Sequence, residues 1–222
     1  MRLVHTVVVL CSLLACAATR YQVDMTPTLD EKVIDIKDFT KSDLIGPTEK
    51  FDELVSAGNK SITFRINSYG GSIGAGHDLI QHIEDSKKSN GITTSCIIDL
   101  KAFSMGAAFL ESPACDHRLM TKRSTLLFHG ASTKVEGKAD EIESTLNFLK
   151  ALSHSLATMC ADRLGMKIGD FEAKTLHQDW TLTWEEALKV NAVDGVIEVK
   201  DVPPPYVLKA PVKTLMQLLG LE

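Results

Sequence analysis

The chain has 222 residues, of which 44% are hydrophobic and 24% charged, enough to bury a core and too apolar for general disorder. Its net charge of −5, with no Lys/Arg cluster, argues against a nucleic-acid-binding domain, whose footprint is a basic patch. No apolar run reaches the ~18–20 residues that span a bilayer as a helix. The five cysteines show no CxxC and no Cys/His pairing at zinc spacing, which argues against a structural metal site.

The front of the chain has the order of a secretory signal. Met1 and Arg2 give a positive start, residues 6–18 are almost unbroken apolar, and Ala15, Ala17 and Ala18 precede a polar Thr19-Arg20-Tyr21. A buried strand over Val7-Val8-Val9-Leu10 is the competing reading, but a core strand seldom ends in so many alanines. Within the run, Leu13-Leu14-Ala15-Cys16 is similar to a bacterial lipobox, in which Cys16 is lipidated and anchors the mature N-terminus to a membrane. Cleavage near Ala17 or Ala18 is the alternative. Either route exports the mature domain to the periplasm or cell envelope. Cys96, Cys115 and Cys160 remain there; an odd count permits one internal bridge at most, no spacing picks a pair, and three free buried thiols are the expectation.

Residues 33–36 alternate weakly, as a short strand does. Pro47 at a first helical position opens a helix over 48–57, with Phe51, Leu54 and Val55 on one face and Gly58 as its stop. Residues 61–66 are β-branched with a two-residue period and read as a strand. It enters the turn Asn67-Ser68-Tyr69-Gly70-Gly71-Ser72. A helix follows with Ile73, Gly76, Ile80 and Ile83 on one face, ending near Ser89-Asn90-Gly91. A second strand, 92–100, leads through Phe103-Ser104-Met105-Gly106 into a short helix, 107–111. A third, 125–128, ends at His129-Gly130.

The longest helical pattern, from about 138 to 164, repeats Ile142, Leu146, Leu149, Leu152, Leu156 and Met159 and closes at Gly165. Such a stripe serves a core or a partner subunit. Thr183 to Glu186 has the form of a capping box. A Pro-containing linker and a short C-terminal helix occupy 201–222. The alternation of strands and helices predicts an α/β domain over about 24–200, with crossover connections.

Two strand-to-helix turns carry small residues at their tips, Gly70-Gly71 and Ser104-Met105-Gly106. Each opens a helix, so its free backbone N–H groups can face an anion. Together they would make an oxyanion hole, with Ser104 standing in one of them. A serine is a weak nucleophile without a base, and His129 at a strand end is the best-placed histidine to serve as one. Asp179, just ahead of the capping box, could orient the imidazole. Taken singly, Ser104 reads as a helix N-cap, His129 as a structural histidine and Asp179 as a solvated or capping residue. His77, His82, His117, His154 and His177 lie on polar faces or loops and receive no role.

Four segments together resemble one family. Ile66-Asn67-Ser68-Tyr69-Gly70-Gly71-Ser72 looks like the Ile-Asn-Ser-Pro-Gly-Gly signature of the Clp protease proteolytic subunit (ClpP). Ala102-Phe103-Ser104-Met105-Gly106-Ala107 resembles its nucleophile motif and Leu127-Phe128-His129 its histidine segment, while Asp179 falls where the family keeps its acid. The resemblance covers roughly 33–199 and implies a ClpP/crotonase-like fold of stacked ββα units with a long handle helix. It implies Ser104 as nucleophile, His129 as base, Asp179 as orienting acid, and the N–H groups of Gly71 and Met105 as oxyanion donors. It implies a serine endopeptidase acting on peptides or unfolded proteins, assembled as a homo-oligomer of rings, with no metal or other cofactor.

The chain departs from the family at Tyr69 for proline, at Phe103 for a small residue and at Gly130-Ala131 for Gln-Pro; these changes bear on specificity more than on chemistry. A signal stands where the family has an axial segment. Export removes the ATP supply, which argues against an ATP-driven unfoldase as partner. Competing readings are an exported oligomeric scaffold with a relic triad and an acyl-CoA enzyme of crotonase type, which has no need of a Ser104/His129 pair. A signal-peptide-peptidase relative would use a lysine base instead of His129.

Overall fold

The structure, a computed structural model, describes residues 32–198. The signal over 1–18, Cys16 and the linker and helix over 201–222 lie outside the described residues. Between them a seven-stranded sheet is covered by helices. Strands β1 (Val33–Ile36), β2 (Ser61–Ser68), β3 (Thr93–Phe103), β4 (His117–Thr121) and β7 (Gly195–Ile197) lie in that order and pair in parallel. Parallel neighbours need crossovers, and α1 (Lys41–Ser56), α2 (Ile73–Asn90) and α3 (Met105–Leu110) supply the first three. With helices packed over the sheet, β2 is buried at every position from Ile62 to Ile66, polar Thr63 and Arg65 included, as in a strand covered on two sides.

β3 forks the sheet. Its residues 95–98 pair with β4, and its residues 101–103 pair with β5 (Thr125–Phe128). Against β2 the register slips between Ile66↔Ile98 and Ser68↔Ala102, so β3 fits extra residues around Asp99 and Leu100. A bulge of this kind bends a strand and re-aims its end, here the end that delivers Ser104. β6 (Trp180–Leu182) then pairs antiparallel with β5. The core is an aromatic chain, with Phe51 stacked 5.8 Å from Phe64, Phe64 edge-on to Phe109 at 5.5 Å, and Phe109 5.6 Å from Phe39. A second cluster of Phe128, Phe171 and Trp180, with centroids 5.4–5.9 Å apart, fixes α5 (Ile168–Thr175) over β5 and β6.

Three expectations are corrected. The first helix begins at Lys41, where the Thr40 side chain caps the Asp43 N–H, and Pro47 lies inside it rather than at its first position. Its missing N–H leaves out one bond toward Asp43, and the preceding turns are held by the cap and by Leu44, which is buried. Secondly, the three thiols are not all free: Cys96 and Cys115 form a disulfide, and among the described residues Cys160 is left free and buried. The reason is the pairing of β3 with β4, in which Cys96 lies opposite Arg118 and Asp116 N–H donates to the Thr94 carbonyl, bringing residue 115 beside 96. Thirdly, β4, α5, β6 and β7 were not foreseen as elements. β4 hides because Arg118 breaks its apolar pattern, yet Arg118 is buried between Glu111 and Asp194.

The helix α4 (Ala139–Leu164) has the predicted extent, with Gly165 left-handed at its end. Only its C-terminal third packs on the domain: Cys160, Ala161 and Leu164 are buried and Leu156 and Met159 lean on the core. The capping box of α6 (Trp184–Lys189) forms as read, with Thr183 and Glu186 bonded reciprocally.

Candidate active site

The two turns meet. Phe39 N–H donates to the Gly70 carbonyl at 2.8 Å and Ser72 N–H to the Phe39 carbonyl at 2.7 Å, so the Gly-Gly turn is tied to the residue following β1. Gly70 N–H is taken by Ser68 Oγ at 2.9 Å, and Tyr69 N–H by Asp38 at 3.1 Å. These bonds leave the Gly71 N–H without an acceptor among the described residues. Both glycines are required by space. A Cβ on Gly70 would stand 2.6 Å from the Ser104 Cβ, and one on Gly71 would stand 2.5 Å from the Phe39 carbonyl oxygen.

Ser104 occupies the second turn with φ 54° and ψ −119°, one of only two non-glycine residues with positive φ among the described residues. Strain of this kind persists where the surroundings impose it. Here its N–H donates to the Leu127 carbonyl at 2.9 Å and its carbonyl accepts from Ala108, so strand and helix pin it from both sides. Its hydroxyl makes no capping bond, contrary to the plain N-cap reading. Met105 is the first residue of α3, and its N–H therefore has no intrahelical acceptor. The amides of Gly71 and Met105 thus have no acceptor among the described residues.

Across from Ser104 lies a cavity of about 130 Å³, lined among others by Gly71, Ile73, Met105, His129, Leu156 and Phe171. Ser104, His129, Gly71 and Met105 all line it; Asp179 does not. His129 follows β5 and Asp179 precedes β6, and the pair Phe128↔Trp180 sets them opposite each other in the next row of the antiparallel ladder. Asp179 is exposed, and no hydrogen bond joins it to His129 or His129 to Ser104 among the described residues. Instead His129 Nδ1 lies 2.7 Å from the Gly130 carbonyl oxygen. A carbonyl can only accept, so Nδ1 carries the proton and Nε2 is left as the basic nitrogen.

Sequence reading missed the groups that hold this arrangement. Asp38 and Phe39 fasten the Gly-Gly turn, and nothing in the sequence flags them. Thr175 accepts the Gly130 N–H at 2.6 Å through its carbonyl, so α5 holds the backbone beyond His129. The aromatic residues Phe171 and Trp180, which pack on Phe128, belong to no local period in the sequence. No group of three His, Cys, Asp or Glu side chains stands close enough to hold a metal among the described residues.

A parallel sheet with crossover helices brings two strand-to-helix turns together beside a strained serine, which defines an α/β protein with a candidate site at the sheet's carboxyl edge. A model of the Clp protease family matches residues 48–200. The ATP-dependent Clp protease proteolytic subunit 1 of Bacillus cereus (strain ATCC 10987 / NRS 248) is 33% identical over 141 residues, 64% of this chain and 70% of that one. The chain belongs to the Clp protease family, and its mixed α/β fold is ClpP-like.

Proposed function

We propose that the chain is an exported serine endopeptidase that cuts short or already unfolded polypeptides without ATP. The observation that carries this reading is the meeting of the Gly70-Gly71 turn with strained Ser104 beside a cavity that Gly71, Ser104, Met105 and His129 all line. Ser104 Oγ attacks the scissile carbonyl while His129 Nε2 takes its proton. The carbonyl oxygen becomes an oxyanion held by the Gly71 and Met105 N–H groups. His129 then returns the proton to the leaving amine, and water, activated in the same way, releases the acyl group from Ser104. Asp179, opposite His129 in the ladder, stabilises the imidazolium once the ring turns from the Gly130 carbonyl.

Export is supported by the signal-like front end and by the buried Cys96–Cys115 bridge, since structural disulfides persist in oxidising compartments. Mature protein from a Gram-negative host is expected to begin at acylated Cys16 or near residues 17–19; an intact Met1 on cytoplasmic protein would sink the export reading. Homo-oligomeric rings are supported by the exposed half of α4, which bears Leu146 and Phe148. The relative's ATP dependence belongs to that protein; outside the cytoplasm there is no ATP pool to drive an unfoldase.

A second reading, an exported oligomeric scaffold with an idle site, is favoured by one observation, the bond of His129 to Gly130 in place of Asp179. A fluorophosphonate probe separates the two. Labelling at Ser104, with cleavage of short hydrophobic peptides that Ser104→Ala abolishes without unfolding the protein, is the expected result. An unlabelled Ser104 in a properly assembled oligomer, with peptides uncut, would leave the scaffold reading.

A further inference from the structure

Tyr69, Phe103 and Lys101 form a cluster that neither the core nor the cavity absorbs. Tyr69 is 69% exposed, and its ring lies edge-on to Phe103 at 6.0 Å. Lys101 Nζ stands 4.0 Å from the Tyr69 centroid, within the range of a cation–π contact. Some surface lysines meet acids, as Lys87 meets Asp116 and Lys122 meets Glu198, and Lys174, like Lys101, stands over a ring, that of Trp180. Lys101 meets no acid among the described residues; the ring holds its ammonium instead. Two of the three residues flank the turns of the candidate site directly, Tyr69 before Gly70-Gly71 and Phe103 before Ser104.

The sheet register sets this cluster on the face that carries His129. Lys101 pairs with Thr125, Phe103 with Leu127, and Leu127 with Thr181. Paired residues share a face, and alternate residues return to it. The rows therefore run Lys101–Thr125, then Phe103–Leu127–Thr181, then His129–Asp179. Ala102, Leu126, Phe128 and Leu182, one step out of phase, are buried on the other side. The cavity occupies one flank of Ser104, and Tyr69, Lys101 and Phe103 do not line it.

We propose that Lys101, held over Tyr69 and backed by Phe103, is a specificity-determining residue for a carboxylate on the leaving side of the scissile bond. The proposal rests on the peptidase reading. His129 must protonate the departing amine, so the leaving segment passes over the face from which His129 projects. There it meets an ammonium already positioned over a ring and without an acidic partner among the described residues. The carboxylate is an acidic side chain just past the cleaved bond or the terminal carboxylate of a short peptide. Where the family carries a proline and a small residue, Tyr69 and Phe103 build the platform that this chain adds.

The test uses the mature Ser104→Ala protein, which binds peptides without cutting them, and fluorescence anisotropy. Four labelled peptides of one sequence carry Asp or Asn one residue past the cleavage position, each ending in a free acid or an amide. Binding about tenfold tighter for the Asp pair assigns the side-chain carboxylate, and for the free-acid pair the terminal one. Lys101→Met, which keeps the apolar stem, should erase that difference while leaving the Asn-amide peptide unaffected. Equal binding of all four peptides, or a preference that survives Lys101→Met, overturns the proposal. Cleavage by protein retaining Ser104 is read separately. Cutting without a carboxylate preference in binding rejects the anion site alone, and a preference in binding without labelling or cutting rejects the peptidase reading alone.

Discussion

Gly71 shows how closely the candidate site is constrained at the residue scale. Its φ is +144°, and a Cβ there would meet the Phe39 backbone. Gly71→Ala must open the tie to Phe39 and displace the free N–H, so peptide kcat/KM is expected to fall by roughly 10²–10³, the scale of losing one oxyanion donor. Gly91→Ala is the control: φ is +61° but nothing lies within 4 Å, so it should cost roughly 1–2 kcal/mol in urea unfolding. Activity per folded molecule should stay unchanged. At the other end of α3, Glu111 is 1% exposed and accepts from Arg118 Nη1 at 2.6 Å. Burial pushes its pKa up to about 8, and Arg118, already neutralised by a forked contact with Asp194, offsets this only in part. The folded state then keeps a proton that the unfolded chain releases near 4.5, so Glu111 makes stability fall as the pH rises from about 4.5 to 8. Asp194 acts in the opposite sense. Desolvation raises its pKa, but the Arg118 hydrogen bonds outweigh it and hold the carboxyl below its ordinary value. Its contribution is present above the unfolded pKa and disappears as the pH falls through the folded one. Glu111→Gln should therefore match the wild type in Tm near pH 4 and exceed it near pH 8.5. Equal slopes across that range would count against a protonated Glu111.

Among the elements, the segment from β3 through α3 to the start of β4 carries Ser104, and the Cys96–Cys115 bridge closes it into one loop. Both sulfurs are fully buried, so reductant should reach them only through unfolding. Replacing the pair by Ala is expected to cost about 3 kcal/mol, the loop-closure scale for a span of this length. Urea unfolding measures it; a shift under about 1 kcal/mol would mean that β3–β4 pairing alone holds the segment. This element also marks what the sequence could tell. The Gly-Gly turn, the serine turn and the α4 stripe were legible because glycine, a short polar residue and a 3.6-residue period each have a local cause. The disulfide was not legible, since cysteines 19 positions apart meet only through the β3–β4 register. Nor was β4, because Arg118 reads as exposed until Glu111 and Asp194 are brought to it by other parts of the chain. α1 was cut short in the reading because Pro47 resembles a start, and the Thr40 cap that begins the helix lies seven residues earlier. Among the candidate residues, Ser104, Gly71, Met105 and His129 line one cavity and Asp179 does not, and the orientation of the His129 ring, turned to the Gly130 carbonyl, is something no spacing encodes.

At the scale of the whole molecule, α4 is too long for the domain it serves. Its 26 residues span roughly 39 Å at the α-helical rise, and the domain covers only the last third. Ile142, Leu146, Leu149 and Leu152 belong to the apolar stripe but not to the core, and Phe148 beside them is 66% exposed. An amphipathic helix draws most of its stability from packing its apolar face, so this half asks for a partner, and a second copy offers the same stripe. We expect the mature protein to scatter light as an oligomer at micromolar concentration. Leu149→Glu places a charge in the middle of that face without touching the buried end at Cys160, Ala161 and Leu164. It should lower the scattering mass by half or more while circular dichroism of the domain is retained. Ser104 labelling should fall in the same variant if pairing of α4 also sets the cavity wall, since Ser153, Leu156 and Ala157 of α4 line it. A wild-type monomer, or an unchanged mass in Leu149→Glu, would show that this stripe holds no second copy.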